Sequence, residues 1–289
     1  ENIVAKVDPI PTDGHGTVDA LIEVMVGEIN QLRESNPGIT AIGAGIPGFV
    51  DFETGYLHNL TNVPGWHNVP FKDIMEKKLG LPVIVENDAN AMAYAEFKFG
   101  AAKGLTNVVC LTLGTGVGGG IILNGDLYRG SAFGAGEIGQ MSIDFEGQAG
   151  NYGNLGALEK YVGNQQIEEH AILAYANVGQ AKAKGECTPK HIAEWAEAGD
   201  PIAKRIWGDI GLWLGSALTS ISWILNPDAI VIGGGVAKAG KLLFEPLEHQ
   251  MHSMLNPVFW EHMNVVQAKF GNEAGTIGCA ALAVQHAKG

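Results

Sequence analysis

Two apolar runs flank the segment Gly114-Thr-Gly-Val-Gly-Gly-Gly120, and this segment limits the fold more than any other in the chain. Asn107–Leu113 reads as a strand running into Gly114-Thr115-Gly116, and Gly119–Leu123 as a second strand leaving it. With no Cβ atoms in the way, backbone N–H groups on one side of so tight a turn can approach a phosphate, and Thr115 adds a hydroxyl. A Walker loop is excluded: no Gly-Lys-Ser/Thr follows, and the junction runs from strand to strand rather than strand to helix. A glycine-rich hairpin with no ligand fits the same residues equally well. Asn124-Gly125 then signals a hairpin, which makes this part a β-meander and not a βαβ unit.

Around this meander the chain alternates strand and helix. Ile3–Val7 reads as a strand, Val18–Leu32 as a helix capped by Thr17, and Ile39–Ile46 as a buried strand ending at Pro47-Gly48. Phe71–Leu79 reads as a helix, Val83–Val85 as a short strand, and Ala89–Phe99 as a helix closing at Gly100. Asp200-Pro201 opens a long helix that Asn226-Pro227 stops. Ala229–Ile232 is a strand feeding Gly233-Gly234-Gly235 and a further helix, and Gly275–His286 is a closing helix. This alternation implies an α/β class with helices packed on a sheet. The 289 residues, 46% of them hydrophobic, suffice for two domains with separate cores.

Composition excludes some functions. A net charge of −13 argues against non-specific attraction to nucleic acid or to an anionic membrane surface. No apolar run is long enough to span a bilayer, and no signal peptide is visible. Three widely spaced cysteines, Cys110, Cys187 and Cys279, show no metal-like pairing and fit a reducing, cytoplasmic setting.

Three further segments carry chemistry. Glycines at Gly233–Gly235, after a buried strand, let a ring or ribose lie against the backbone, although a packing turn needs the same residues. Glu86-Asn-Asp-Ala-Asn90 follows a buried strand, where α/β proteins bind ligands. There Asp88 could take a proton from a sugar hydroxyl and Asn87 could orient that sugar, or Asp88 or Asn90 could simply cap the next helix. Glu137, in Gly134-Ala-Gly-Glu-Ile-Gly-Gln140, and Glu159 could accept vicinal sugar hydroxyls, or be solvated loop and helix-start charges. Trp66 suits core packing, and His67 is an ordinary loop histidine.

Together these segments resemble the repressor–open reading frame–kinase (ROK) family, and within it the sugar kinases of the bacterial glucokinase type. The resemblance covers essentially the whole chain. It runs in order through Gly45-Ile-Pro-Gly-Phe-Val50, Asn62-Val-Pro-Gly-Trp66, Glu86–Asn90, Leu113–Gly120, Gly136-Glu-Ile-Gly139, Leu158-Glu159 and Asn226-Pro-Asp-Ala-Ile-Val-Ile-Gly-Gly-Gly235. It implies a two-domain actin-like ATPase (sugar kinase/actin, ribonuclease H-like) fold with an interdomain cleft. The N-terminal α/β domain would span 1–108, joined by the closing helix at 275–289, and the C-terminal domain 109–274.

The resemblance also implies ATP-dependent phosphorylation of a hexose at its 6-hydroxyl, glucose first, with ATP and Mg²⁺ as cofactors. Asp88 would be the catalytic base. Gly48, Asn62, Asn87, Glu137, Gln140 and Glu159 would hold the sugar. Gly114, Thr115 and Gly116 would hold the phosphates, and Gly233, Gly234 and Gly235 the adenosine. Expected partners are the hexose and ATP, with no nucleic acid and no membrane, in a homo-oligomer (dimer or tetramer). Kinases for fructose, mannose or N-acetylmannosamine, and sugar-responsive repressors with an upstream helix-turn-helix, are the alternatives; the complete Gly114–Gly120 turn favours a kinase.

Two departures from the family pattern matter. Its opening strand and Asp-x-Gly-Gly-Thr phosphate loop are not in this sequence, so full turnover is expected only of a longer chain. Its zinc ligands, one His and three Cys, correspond here to Gln140, Gly150, Tyr152 and Ala157, so no zinc is expected.

Overall fold

The computed structural model describes all residues save Glu1, Asn2, Asp13, Thr61, Asn62, Pro64, Lys288 and Gly289. The chain divides into two compact units. One comprises Glu1–Ala95, Arg129–Ala135 and Glu273–Gly289; the other comprises Glu96–Tyr128 and Gly136–Asn272.

In the first unit, helix α1 (Val18–Ser35) starts where the Thr17 hydroxyl accepts the Ala20 N–H at 3.2 Å. Strand β1 (Ile42–Ile46) follows, then an antiparallel sheet of β2 (Phe49–Asp51), β3 (Tyr56–Asn59) and β4 (His67–Val69). Helix α2 (Phe71–Leu79) closes on the left-handed Gly80. Strand β5 (Val83–Asn87) lies parallel to β1, from Ile42 opposite Val83 to Ile46 opposite Asn87. It leads directly into α3 (Asp88–Phe99). Leu21, Ile22, Leu57, Phe71, Met75 and Val83 form the core of this unit. Residues 3–7, expected as a strand, form no strand and pair with none among the described residues. A strand needs a partner as well as an apolar run, and Val4 is 84% exposed.

The second unit holds a five-stranded sheet. Strands β6 (Val108–Leu113), β7 (Val117–Leu123) and β8 (Asp126–Tyr128) form the expected meander, with Asn124 and Gly125 both at positive φ in the β7–β8 turn. Helices α4 (Glu159–Val162), α5 (Asn164–Ala176), α6 (Pro189–Glu197) and α7 (Pro201–Leu225) come next. The Asp200 carboxylate caps α7 by accepting the Ile202 and Ala203 N–H groups, and Asn226 ends it in the left-handed region. Strand β9 (Ala229–Gly234), helix α8 (Lys241–Met254) and strand β10 (Asn264–Gln267) complete the sheet in the order β10-β9-β6-β7-β8. β6, β9 and β10 are parallel. The core here gathers Leu111, Leu113, Ile232, Leu214, Leu218 and Trp207. The element straight after Gly235, expected as a helix, is a short 3₁₀ turn, Val236–Ala239; α8 starts only after Gly240.

Helix α9 (Ala274–Ala287) returns the chain to the first unit, packing on β1 and α3. The opening stretch of the first unit ends at Ala95. Glu96, in the last turns of α3, begins the second unit: its fully buried carboxylate accepts N–H groups from Ala101 (2.8 Å), Lys269 (2.8 Å) and Phe270 (2.9 Å), all in that unit. The short segment Arg129–Ala135 groups with the first unit.

Candidate active site

Asp88 stands at the junction of β5 and α3 in the first unit. The cap of α3 is neither Asp88 nor Asn90 but Asn87: its Oδ1 accepts the N–H of Ala89 (2.9 Å) and of Asn90 (3.0 Å). The Asn87 amide also donates to the Gly48 carbonyl at 3.2 Å, which joins two of the expected sugar residues directly. Asn62 lies outside the described residues.

With Asn87 doing the capping, the Asp88 carboxylate is left facing solvent. Its partners are backbone N–H groups at the start of α3, that of Ala89 at 2.9 Å from Oδ1 and its own. Its flanks are packed, and the lost hydration raises its pKa above the ordinary aspartate value, against the lowering pull of the Ala89 N–H. Beneath it is Cys279, a buried thiol held neutral: burial first, then the carboxylates of Glu86 and Asp88, push its pKa up to about 12. Glu86 is buried, accepts from the Asn87 N–H and the Asn90 side chain, and pairs with Arg129. Neither Glu86 nor Arg129 was assigned a role from the sequence. The signal for Glu86 is an acid at the end of a buried strand; Arg129, in a distant segment, has none.

In the second unit the two glycine turns lie side by side. The parallel register sets Thr112 opposite Gly233 and Leu113 opposite Gly234, so both turns leave the carboxyl ends of adjacent strands. Gly234 is at φ +88°, and a Cβ there would sit 2.1 Å from the Leu113 carbonyl oxygen. Only glycine allows that approach. At the β6–β7 turn the Gly114 N–H is taken by the Gly116 carbonyl (3.0 Å) and the Val117 N–H by Glu159 Oε2 (3.0 Å). The N–H groups of Thr115 and Gly116, at the tip, have no partner among the described residues. The Asn164 N–H at the start of α5 donates to the Gly114 carbonyl at 2.9 Å and braces the turn. Beside Gly235 opens a cavity of about 390 Å³, bordered by Asn164, Pro189, Trp207, Val236 and Lys238.

The remaining expected residues lie around β7, Glu159 at its start. Glu159 lies against Gly116–Val117, with its second oxygen on the Asn151 amide at 2.9 Å. Glu137 precedes the 3₁₀ turn Ile138–Gln140, which packs on β7, and its carbonyl accepts the Gln140 N–H at 3.1 Å. The Gln140 side-chain oxygen is buried with no donor among the described residues, and so is that of Asn154, whose amide donates to the Gln140 carbonyl at 2.7 Å. A buried acceptor without a donor is costly unless a ligand or water supplies one.

The ROK family profile matches residues 3–286. A glucokinase of Streptomyces coelicolor is 34% identical over 286 residues, 95% of this chain and 88% of that protein. A glucokinase of Halalkalibacterium halodurans is 38% identical over 256 residues, 85% of this chain and 76% of that protein. The crystal structure of a ROK family glucokinase from Streptomyces griseus in complex with glucose and AMPPNP superposes with a TM-score of 0.80 at 31% identity, covering 93% of this chain and 89% of that one. The chain therefore belongs to the ROK family, and its fold is that of the family's sugar kinases.

Proposed function

We propose that this chain is an ATP-dependent hexose kinase that converts glucose to glucose 6-phosphate. The observation that carries the reading is the pairing of β6 with β9, which puts the open N–H groups of Thr115 and Gly116 beside the Gly233–Gly235 turn and its cavity. That pairing offers one continuous binding surface to a nucleotide: donors for phosphate at one end and a nucleoside-sized cavity at the other. The glucokinases to which the chain is similar, one solved with glucose and a nucleotide analogue, supply the choice of sugar and donor.

In this reading Asp88 takes the proton from the sugar 6-hydroxyl. The hydroxyl oxygen forms a bond to the γ-phosphorus as the bond from that phosphorus to the β-bridging oxygen breaks, and the electron pair leaves with ADP. Asn87 and Gly48, already joined, orient the sugar; Glu137, Gln140 and Glu159 accept its other hydroxyls, and the orphan oxygen of Gln140 gains a donor by doing so. Phosphoryl transfer needs mainly positioning and charge stabilisation, which these groups provide.

Mg²⁺ suits this site as an ion carried on the nucleotide's phosphates at the Thr115–Gly116 tip. Such ions keep few protein ligands, and among the described residues no group of three or more His, Cys, Asp or Glu is placed to hold a metal. When bound it supplies neutralising charge to the phosphates. The three cysteines are buried and unpaired, which supports a cytoplasmic setting, and among the described residues no helix is long and apolar enough to cross a membrane. A dimer or tetramer, as expected from the family, is part of the proposal.

The test is a panel of glucose, fructose, mannose and N-acetylmannosamine, with Mg-ATP, on the full-length protein. Sugar-dependent ADP release, greatest with glucose, is the expected outcome. ADP release with none of these sugars would reject the reading.

A further inference from the structure

The most completely tied side chain near Asp88 is one to which the phosphorylation chemistry gives no part. Glu86 ends β5 and is 3% exposed. One oxygen, Oε1, accepts the Asn87 N–H at 3.0 Å and the Asn90 side-chain amide at 3.1 Å. The other, Oε2, takes both Nε (2.8 Å) and Nη2 (2.7 Å) of Arg129. The two oxygens thus divide their work: one faces the turn that carries Asp88, the other faces a single cation.

Arg129 is held in turn. Its guanidinium lies 3.5 Å from the ring centroid of Phe52, and the Phe52 ring leans on His286 of α9. Arg129 is also the first residue of the segment that rejoins the first unit, which closes on itself where the Ala135 N–H meets the Arg129 carbonyl at 3.0 Å. A buried carboxylate demands compensation, and Arg129 supplies the positive charge. Compensation alone would need only a nearby cation. Here two of the three guanidinium nitrogens go to one carboxylate oxygen, which leaves the other oxygen to grip the Asn87–Asn90 turn from behind while the Asn87 side chain caps it from the front.

We infer that Arg129 is a positioning residue for phosphoryl transfer: it fixes Glu86, and Glu86 fixes the turn that aims the Asp88 carboxylate. The inference rests on the kinase reading with Asp88 as base. It assigns Arg129 an effect on kcat rather than on nucleotide binding, because every group it organises lies in the first unit with Asp88.

The experiment compares the full-length wild type with Arg129→Lys and with the double variant Glu86→Gln/Arg129→Met. Each is measured for kcat, KM for ATP and melting temperature. Lysine keeps the charge but cannot present two nitrogens to one oxygen, so kcat should fall about tenfold; the double variant, which leaves no unpaired buried charge, should fall about 100-fold. KM for ATP should stay within about twofold of wild type in both, and both should melt cooperatively. A purely structural role predicts instead that the double variant recovers kcat along with stability. Wild-type kcat in Arg129→Lys and in the double variant would overturn the inference while leaving the kinase reading intact. A wild type with no sugar-dependent turnover would reject the kinase reading, and this inference with it.

Discussion

At the scale of single residues, the account turns on which side chain is left unemployed. Asn87 caps α3, Glu86 braces the turn, and Asp88 is left with backbone N–H groups at the start of α3 and a raised pKa. As the proposed base it works only when deprotonated, so activity should rise with pH through a value above the ordinary 3.8, and the acid limb of the kcat profile should vanish in Asp88→Asn. A pKa raised on folding also means that the charged form costs stability above that pKa. Asp88→Asn should therefore lose about 1,000-fold in kcat without a fall in melting temperature. Near-wild-type turnover would remove Asp88 from its role. Gln140 gives a second prediction. Replacing it by Leu should raise the KM for glucose about tenfold, the worth of one hydrogen bond of about 1.4 kcal/mol, and leave the KM for ATP unchanged. An equal rise in both would place Gln140 with the nucleotide. Glycine positions were legible in the sequence because a missing side chain marks a close approach, as at Gly234 against Leu113. The cap was not: Asn87, Asp88 and Asn90 are all good caps, and only the backbone path picks one. The pairing of Glu86 with Arg129 left no trace in either local segment, because it joins residues that only the tertiary fold brings together.

At the scale of elements, what the sequence revealed was what local chemistry decides. Thr17, Asp200-Pro201 and Asn226 mark helix ends because their side chains or dihedrals satisfy the terminal groups, and all three do so here. The strand at 3–7 and the helix after Gly235 depend on partners elsewhere, and there the structure departs from the reading. Helix α9 shows how closely elements can meet. A Cβ at Gly278 would lie 1.7 Å from the Ala91 carbonyl oxygen of α3, so Gly278→Ala should destabilise by about 3 kcal/mol or more, read as a drop in denaturant midpoint. An unchanged midpoint would mean that the two helices do not pack this way. The 140–158 loop holds Gln140, Gly150, Tyr152 and Ala157, where the resemblance leads to the expectation of no zinc. Here the Asn154 amide on the Gln140 carbonyl, the Tyr161 hydroxyl on Asp144 at 2.9 Å and the bridge between Ser142 and Ala157 tie it together. Chelator treatment should leave the melting temperature unchanged, and a substantial fall would show that the loop depends on zinc.

For the whole molecule, the chain builds two cores, one per unit, and each unit carries some of the residues proposed for the chemistry. The first unit carries Asp88, Asn87 and Gly48; the second carries the glycine turns with Glu137, Gln140 and Glu159. The α/β alternation and the order of the motifs made the two-part architecture and the family legible in advance. What the sequence hid were the long-range partners of Glu96 and Arg129, which only the tertiary fold brings to them. The central claim is that Asp88 is the base that lets the 6-hydroxyl of glucose take the γ-phosphoryl group of ATP. Phosphorus NMR of the full-length protein turning over Mg-ATP and glucose tests it most directly. The account predicts glucose 6-phosphate and ADP appearing in equal amounts with wild type, and neither with Asp88→Asn. ADP and inorganic phosphate with no sugar phosphate, or the same product at the same rate from Asp88→Asn, would contradict it.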